Sequence, residues 1–249
     1  MESWFHILLP FLLVLGRISG FFAVLPIFSW QSVPVRIRAG LALLVTIFFA
    51  AIVPPPAAGA MHWMQASVLM VRELLLGLGL GLAVHLVFLA VQQAGCLIER
   101  EMGLAMAEII DPTTGEETEP MGVFFQTTFA LFFLAAGGHR LMLLLIAESY
   151  RVVPTANLPD PAVLAEGLVQ AGSTMLLLAL QIASPVIAAS LILSVILAVL
   201  SRVLPEMNIL MESLPLKVGV GLFMAAAIVP LLSGVTTELA EWMGRLLVS

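Results

Sequence analysis

Gly167–Ser201, GLVQAGSTMLLLALQIASPVIAASLILSVILAVLS, runs for 35 residues without a charged side chain. Roughly 18 apolar residues in a row suffice for a helix to cross a bilayer. Three further uncharged runs, Ala39–Val71, Leu74–Ile98 and Val218–Thr237, meet the same criterion. In hydrocarbon every backbone donor and acceptor must pair within the chain, and the residue alternation of a closed barrel is absent. These runs predict an all-α integral membrane protein with about six long apolar helices.

Composition agrees. The 249 residues are 61% hydrophobic and 10% charged, whereas soluble domains are about a quarter charged. The formal net charge is −6, and its location says more than its size. Between Glu99 and Glu119 lie seven acids and one base, Arg100; the remainder carries nine of each sign. That location argues against a basic surface for nucleic acid. Met1–His6 lacks Lys and Arg and includes Glu2, so the N-terminus reads as a retained first helix rather than a secretory signal. The single cysteine, Cys96, sits in an apolar run and reads as packing.

The apolar regions fall at roughly residues 3–28, 35–53, 62–100, 121–150, 162–201 and 214–247. Pro26 and Pro34 flank the first connector, Pro54, Pro55 and Pro56 stop the second helix, Asp111-Pro112 sits in the acidic connector, and Pro154, Pro159 and Pro161 make the fourth. Gly167–Ser201 would reach about 52 Å as a helix, against a hydrocarbon core of about 30 Å. A kink at Pro185 combined with packing on protein rather than lipid accounts for the excess. Were all six regions to cross, basic residues in the connectors, five against two, would place the N-terminus outside.

Catalytic and metal constellations are poorly represented. His6, His62, His85 and His139 lie far apart, and the only aspartates, Asp111 and Asp160, adjoin prolines in connectors. Gly16-Arg17-Ile18-Ser19-Gly20 has the wrong spacing for a serine elbow. No Lys, Ser or Thr follows Gly77, Gly79 and Gly81 as a phosphate loop requires. Gly77 and Gly81, four apart, and Gly95 beside Ala94 suit close helix approach instead. Neither a catalytic residue, a metal site nor a cofactor is expected. Arg17, Arg72, Glu73 and Arg140 stand in or beside apolar runs, where charges are costly and find partners. Pairing is favoured over an ion pathway, because Glu73 is the single acid at membrane depth.

Several short patterns follow one another in a distinctive order. Arg17 precedes a small-residue turn, then come Pro26 and Phe28, Arg38, and Glu73-Leu74-Leu75-Leu76-Gly77-Leu78. The centre has Ala94-Gly95, Met102-Gly103-Leu104-Ala105 and Asp111-Pro112, followed by Gly138-His139 and Glu148-Ser149-Tyr150-Arg151-Val152-Val153-Pro154. The tail adds Ser201-Arg202-Val203-Leu204-Pro205-Glu206-Met207-Asn208 and Pro215-Leu216-Lys217-Val218-Gly219. Taken together, over nearly the whole chain, this order resembles the FliR/SctT family of flagellar and virulence type III export-gate subunits. Glu206 departs from it, standing where that family commonly has glutamine.

The resemblance implies a non-enzymatic subunit of the bacterial inner membrane, within the flagellar basal body. Its implied partners are FliP-like and FliQ-like subunits, a FlhB-like subunit, membrane lipid and the unfolded substrates that pass through the gate. It divides the chain into a FliP-like part, residues 1–160, and a FliQ-like C-terminal hairpin, residues 161–249. It also implies a plug formed by Glu108, Ile109, Ile110, Asp111, Pro112, Thr113, Thr114, Gly115, Glu116, Glu117, Thr118, Glu119, Pro120 and Met121. Arg17, Glu73, Gly77, Gly81, Gly95, Arg202, Asn208 and Lys217 are expected to serve as structural charges and subunit-packing positions. From the residues alone, the connector also suits an ordinary solvated acidic loop. The alternative function is a secondary transporter or channel for small solutes or ions, which calls for an internal repeat and several membrane acids.

Overall fold

The computed structural model describes residues 2–26, 34–54, 63–104, 119–155, 161–203 and 209–234, and every regular element among them is helical. In chain order these are α1 (Glu2–Val24), α2 (Val35–Ala50), α3 (Trp63–Met102), α4 (Pro120–Ala135), α5 (Gly138–Val152), α6 (Pro161–Val203) and α7 (Ile209–Ile228). A single 3₁₀ turn, Val229–Leu231, follows α7 at Pro230.

The region expected as one helix over residues 121–150 is two. Gly137 takes a left-handed φ of 82° and separates α4 from α5. Glycine adopts that conformation without the Cβ penalty other residues meet. The Ala136 amide still closes the last turn of α4 on the Phe132 carbonyl, at 2.8 Å. α6 runs unbroken through Pro185, so its 43 residues extend well past one membrane thickness.

Among the described residues three helices are long and apolar enough to cross a membrane: Trp63–Met102, Ala165–Val203 and Ser213–Gly234. The α4–α5 pair makes a fourth if it counts as one broken span. That is fewer than six among the described residues, so the orientation drawn from basic-residue counts, which required six crossings, finds no support here. Apolar length alone does not distinguish a span from a helix whose apolar face lies on protein.

Two compact units result. The first gathers α1, α2, α3 up to Val87, α5 and α6 up to Gly172. In it α1 and α3 run in the same direction: Leu9 and Leu13 cluster with Ala66 and Leu69, Arg17 meets Glu73 and Gly77, and Phe21 meets Gly81. Glycines four apart on both helices let the backbones touch. A Cβ on Gly20 would stand 2.5 Å from the Leu74 carbonyl oxygen, and one on Gly81 2.7 Å from that of Phe21. The second unit takes α3 from Phe88, α4, α6 from Ser173 and α7. Here α3 and α4 run antiparallel, with Phe88 edge-on to Phe129 and Phe133 at 5.0 and 5.5 Å.

The glycines of α3 therefore differ sharply in what they tolerate. A Cβ on Gly77 would collide with the Arg17 carbonyl, whereas one on Gly79 meets nothing within 4 Å. Gly77→Ala is expected to cost about 1–3 kcal/mol through overpacking. Gly79→Ala should be neutral, or stabilising by up to about 1 kcal/mol from helix propensity. Parallel thermal unfolding of the two variants in mild detergent checks this; equal effects would contradict the α1–α3 contact.

Candidate functional site

In the first unit the site is a buried charge. Arg17 on α1 is 1% exposed and Glu73 on α3 is 2% exposed. The close α1–α3 approach brings them together, and Arg17 Nε donates to Glu73 Oε2 at 2.6 Å. Arg17 Nη1 donates to the carbonyls of Ser149 and Val153, both at 3.0 Å, and to Ser149 Oγ at 3.3 Å. Those carbonyls belong to the end of α5, where the dipole is negative; the Ser149 carbonyl also accepts from the Val153 amide at 2.9 Å. The guanidinium lies 4.1 Å from the Tyr150 ring centroid, and Tyr150 OH donates to the Val14 carbonyl at 3.4 Å. One cation thereby ties α1, α3 and α5 through a carboxylate, two carbonyls and an aromatic face.

The other two charges noted at apolar runs, Arg72 and Arg140, are exposed. Among the described residues no three ligand-type side chains converge as a metal site requires. Arg17 and Glu73 are held by each other and by the end of α5, so the cluster joins three helices.

In the second unit lie the two roots of the acidic connector. Residues Glu108 to Thr118 lie outside the described residues; Glu119, Pro120 and Met121 are within them. At the upstream root Gly103 has a φ of 77° and ends α3, its amide bonding the Arg100 carbonyl at 3.0 Å. At the downstream root Pro120 opens α4, a position where its missing amide costs nothing. Glu119 Oε2 accepts from Cys96 Sγ at 2.7 Å, and Glu119 Oε1 lies 3.6 Å from Arg100 Nη2. Glu99 Oε2 accepts from the Met121 amide at 3.0 Å. Gly95 allows this, since a Cβ there would stand 2.5 Å from the Met121 carbonyl oxygen.

A small cavity in the same unit is lined by Glu101, Ser190, Lys217, Met102 and Gly221, and Ser190 Oγ donates to the Glu101 carboxylate. Lys217 is half-buried there, while Arg202 is exposed in the last turn of α6. Asn208 and Glu206 lie outside the described residues. The glycines expected at packing positions, Gly77, Gly81 and Gly95, all face backbone of their own chain.

Sequence reasoning singled out Arg17 and Glu73 but not the rest of their cluster. Ser149, Tyr150 and Val153 figured only as parts of a recurring pattern; the signal that finds them is a hydroxyl and an aromatic at a helix end awaiting a cation. Glu99 and Cys96 were counted as part of a charge excess and as packing. Their pairing depends on α4 folding back along α3, which no local pattern announces.

Removing one member of a buried pair leaves an uncompensated charge, at about 3–5 kcal/mol, whereas replacing both with apolar residues is far milder. Arg17→Met or Glu73→Leu alone should therefore sharply lower the yield of folded protein. The double variant should recover at least half of the loss. A double variant no better than the worse single one would show that the two charges are not a coupled unit.

Comparison with known proteins bears on these two clusters together. The family described as bacterial export proteins, family 1, matches residues 8–243. The flagellar biosynthetic protein FliR of Bacillus subtilis (strain 168) is 34% identical over 230 residues, covering 90% of this chain and 87% of that protein. The Escherichia coli (strain K12) protein of the same name is 30% identical, with 93% and 88% covered. The Yop proteins translocation protein T of Yersinia pestis is 28% identical, with 84% and 82% covered. A match spanning both the Arg17 cluster and the roots of the acidic connector, with relatives covered over more than four-fifths of their length, establishes that the chain belongs to family 1 of the bacterial export proteins.

Proposed function

We propose that this chain is a subunit of the flagellar type III export gate, where it helps to form and close the pore through which unfolded substrates cross the inner membrane. The observation that carries this reading is the family match over residues 8–243. The flagellar system is favoured over a virulence system because relatives at 34%, 31% and 30% identity carry flagellar names, against 28% for the Yersinia pestis protein. The role is structural, not enzymatic, and the setting is the inner membrane within the basal body.

Surface chemistry supports an assembly role. Only 22% of the most apolar stretch of α6 is buried within the chain, and Leu176, Leu177, Leu191 and Ile192 are each about 60% exposed. In a helix longer than the hydrocarbon thickness, part of that surface needs protein to cover it. FliP-like and FliQ-like subunits, with an associated FlhB-like subunit, are the proposed cover. The division into a FliP-like part over residues 1–160 and a FliQ-like hairpin over 161–249 belongs to the same proposal.

Closure is assigned to the acidic connector, Glu108–Met121. Its polarity leaves little apolar contact to lose on displacement, and both of its roots are fixed on α3, by Gly103 upstream and by Glu99 downstream. A segment rooted at both ends on one rigid helix can block a passage and move aside without unfolding its neighbours.

Two experiments test the reading. Expressed alone, the chain should be recovered poorly from mild detergent, and co-expression with FliP-like and FliQ-like subunits should restore it; a stable, monodisperse monomer would count against assembly. Deleting residues 113–118, which spares Glu119, should leave the complex intact but make cells leaky to ions and small dyes. Unchanged permeability at equal complex level assigns the connector to the solvated surface instead.

A further inference from the structure

The first turn of α4 is capped in an unusual way. Its N-cap residue, Glu119, makes no side-chain cap to its own helix; the carboxylate turns to Cys96 and Arg100 on α3 instead. The free Met121 amide is taken by Glu99, a residue of α3 that is 7% exposed. Helix starts leave such amides without intrahelical acceptors, and a carboxylate facing them gains a charge-assisted bond and the positive end of the dipole. The two carboxylates are thus exchanged: the one on α4 reaches α3, and the one on α3 reaches α4.

The backbones are pressed together at the same level. A Cβ on Gly95 would meet Gly122 Cα at 2.8 Å, and one on Gly122 would meet Cys96 Sγ at 2.6 Å. The Cys96 side chain lies at this same contact and bonds Glu119, so the polar exchange and the glycine contact form or break together. Packing further along, at Phe88, Phe129 and Phe133, is apolar and independent of either carboxylate.

We infer that Glu99 and Glu119 form a clamp that locks the downstream root of the connector to α3, and that Glu99 is a positioning residue of the gate, holding its closed state from outside the connector. The assignment rests on the gate reading above. Glu99 acts through its acceptor oxygen: glutamine, which keeps a carbonyl for the Met121 amide, can replace it, and alanine cannot.

The protein supplies its own reporter, because Cys96 is the only cysteine in the chain and is 2% exposed beneath the clamp. In the assembled complex, Glu99→Ala should raise the rate of Cys96 labelling by a small maleimide by about tenfold, the scale of one buried hydrogen bond. Ion and dye permeability should rise with it, while Glu99→Gln stays near wild type in both. Glu119→Ala is the second variant if Glu99→Ala fails to assemble, since the Glu119 side chain is 37% exposed and bears little packing. It should increase labelling and leakage in the same direction. Cys96 protection and a tight membrane in the assembled alanine variants overturn the clamp. So does a Glu99→Gln variant as leaky as Glu99→Ala, which would make charge rather than the acceptor decisive. The deletion of residues 113–118 separates the two claims. Leakage there with tight alanine variants removes the clamp and keeps the gate, and tightness in both removes the gate itself.

Discussion

Arg17 constrains the first unit more than any other residue. A guanidinium that is 1% exposed within an apolar helical chain requires a compensating charge and acceptors for its donors. Glu73 supplies the charge and the end of α5 supplies the acceptors, which fixes three helices at once. The backbone arrangement follows from that requirement. For Arg17 to reach Glu73 at 2.6 Å, α1 must lie directly on α3, and glycine at 77 and 81 is what lets it. The ion pair and the glycines are one device, the first needing the approach that the second permits.

How far the fold was legible in the sequence depends on the kind of signal. Uninterrupted apolar runs marked the helices, and isolated charges at membrane depth marked Arg17 and Glu73, because cost in hydrocarbon is a local property of the residue. Gly137 broke a predicted helix, since tolerance of a left-handed φ does not mean that glycine will use it. The number of crossings was not legible for a related reason. Helix α2, with 16 residues, and α1 are apolar yet pack against each other, and apolarity alone does not say whether lipid or protein is the neighbour. The partners of Arg17 on α5 and the Glu99–Met121 bond join residues 132 and 22 positions apart. Such pairings are set by tertiary folding, which no single window contains.

The chain's surface carries the same lesson outward. The first unit pairs Arg17 and Glu73 with each other, with only Arg17 Nη2 left unpartnered, whereas α6 leaves Leu176, Leu177, Val195 and Ile196 each more than half exposed. For a helix of 43 residues, lipid can cover only the part that lies within the hydrocarbon, about 30 Å or some 20 residues. The rest of an apolar helix in water would be an aggregation surface. Membership of an export family gives that surface a reason: a subunit of an assembly carries part of its core on the outside.

The distribution of charge then separates what holds from what yields. Outside Glu99–Glu119 the acids and bases balance, nine of each, so the net charge of the chain lies in that one stretch, which begins on the last turn of α3. Inside that stretch the seven acids meet one base, and like charges held close together repel and resist compaction. The stretch is held to α3 at both ends: Gly103 terminates that helix upstream, and Glu99 accepts from the Met121 amide of α4 downstream. One helix therefore carries both anchoring contacts of the stretch that holds the charge excess.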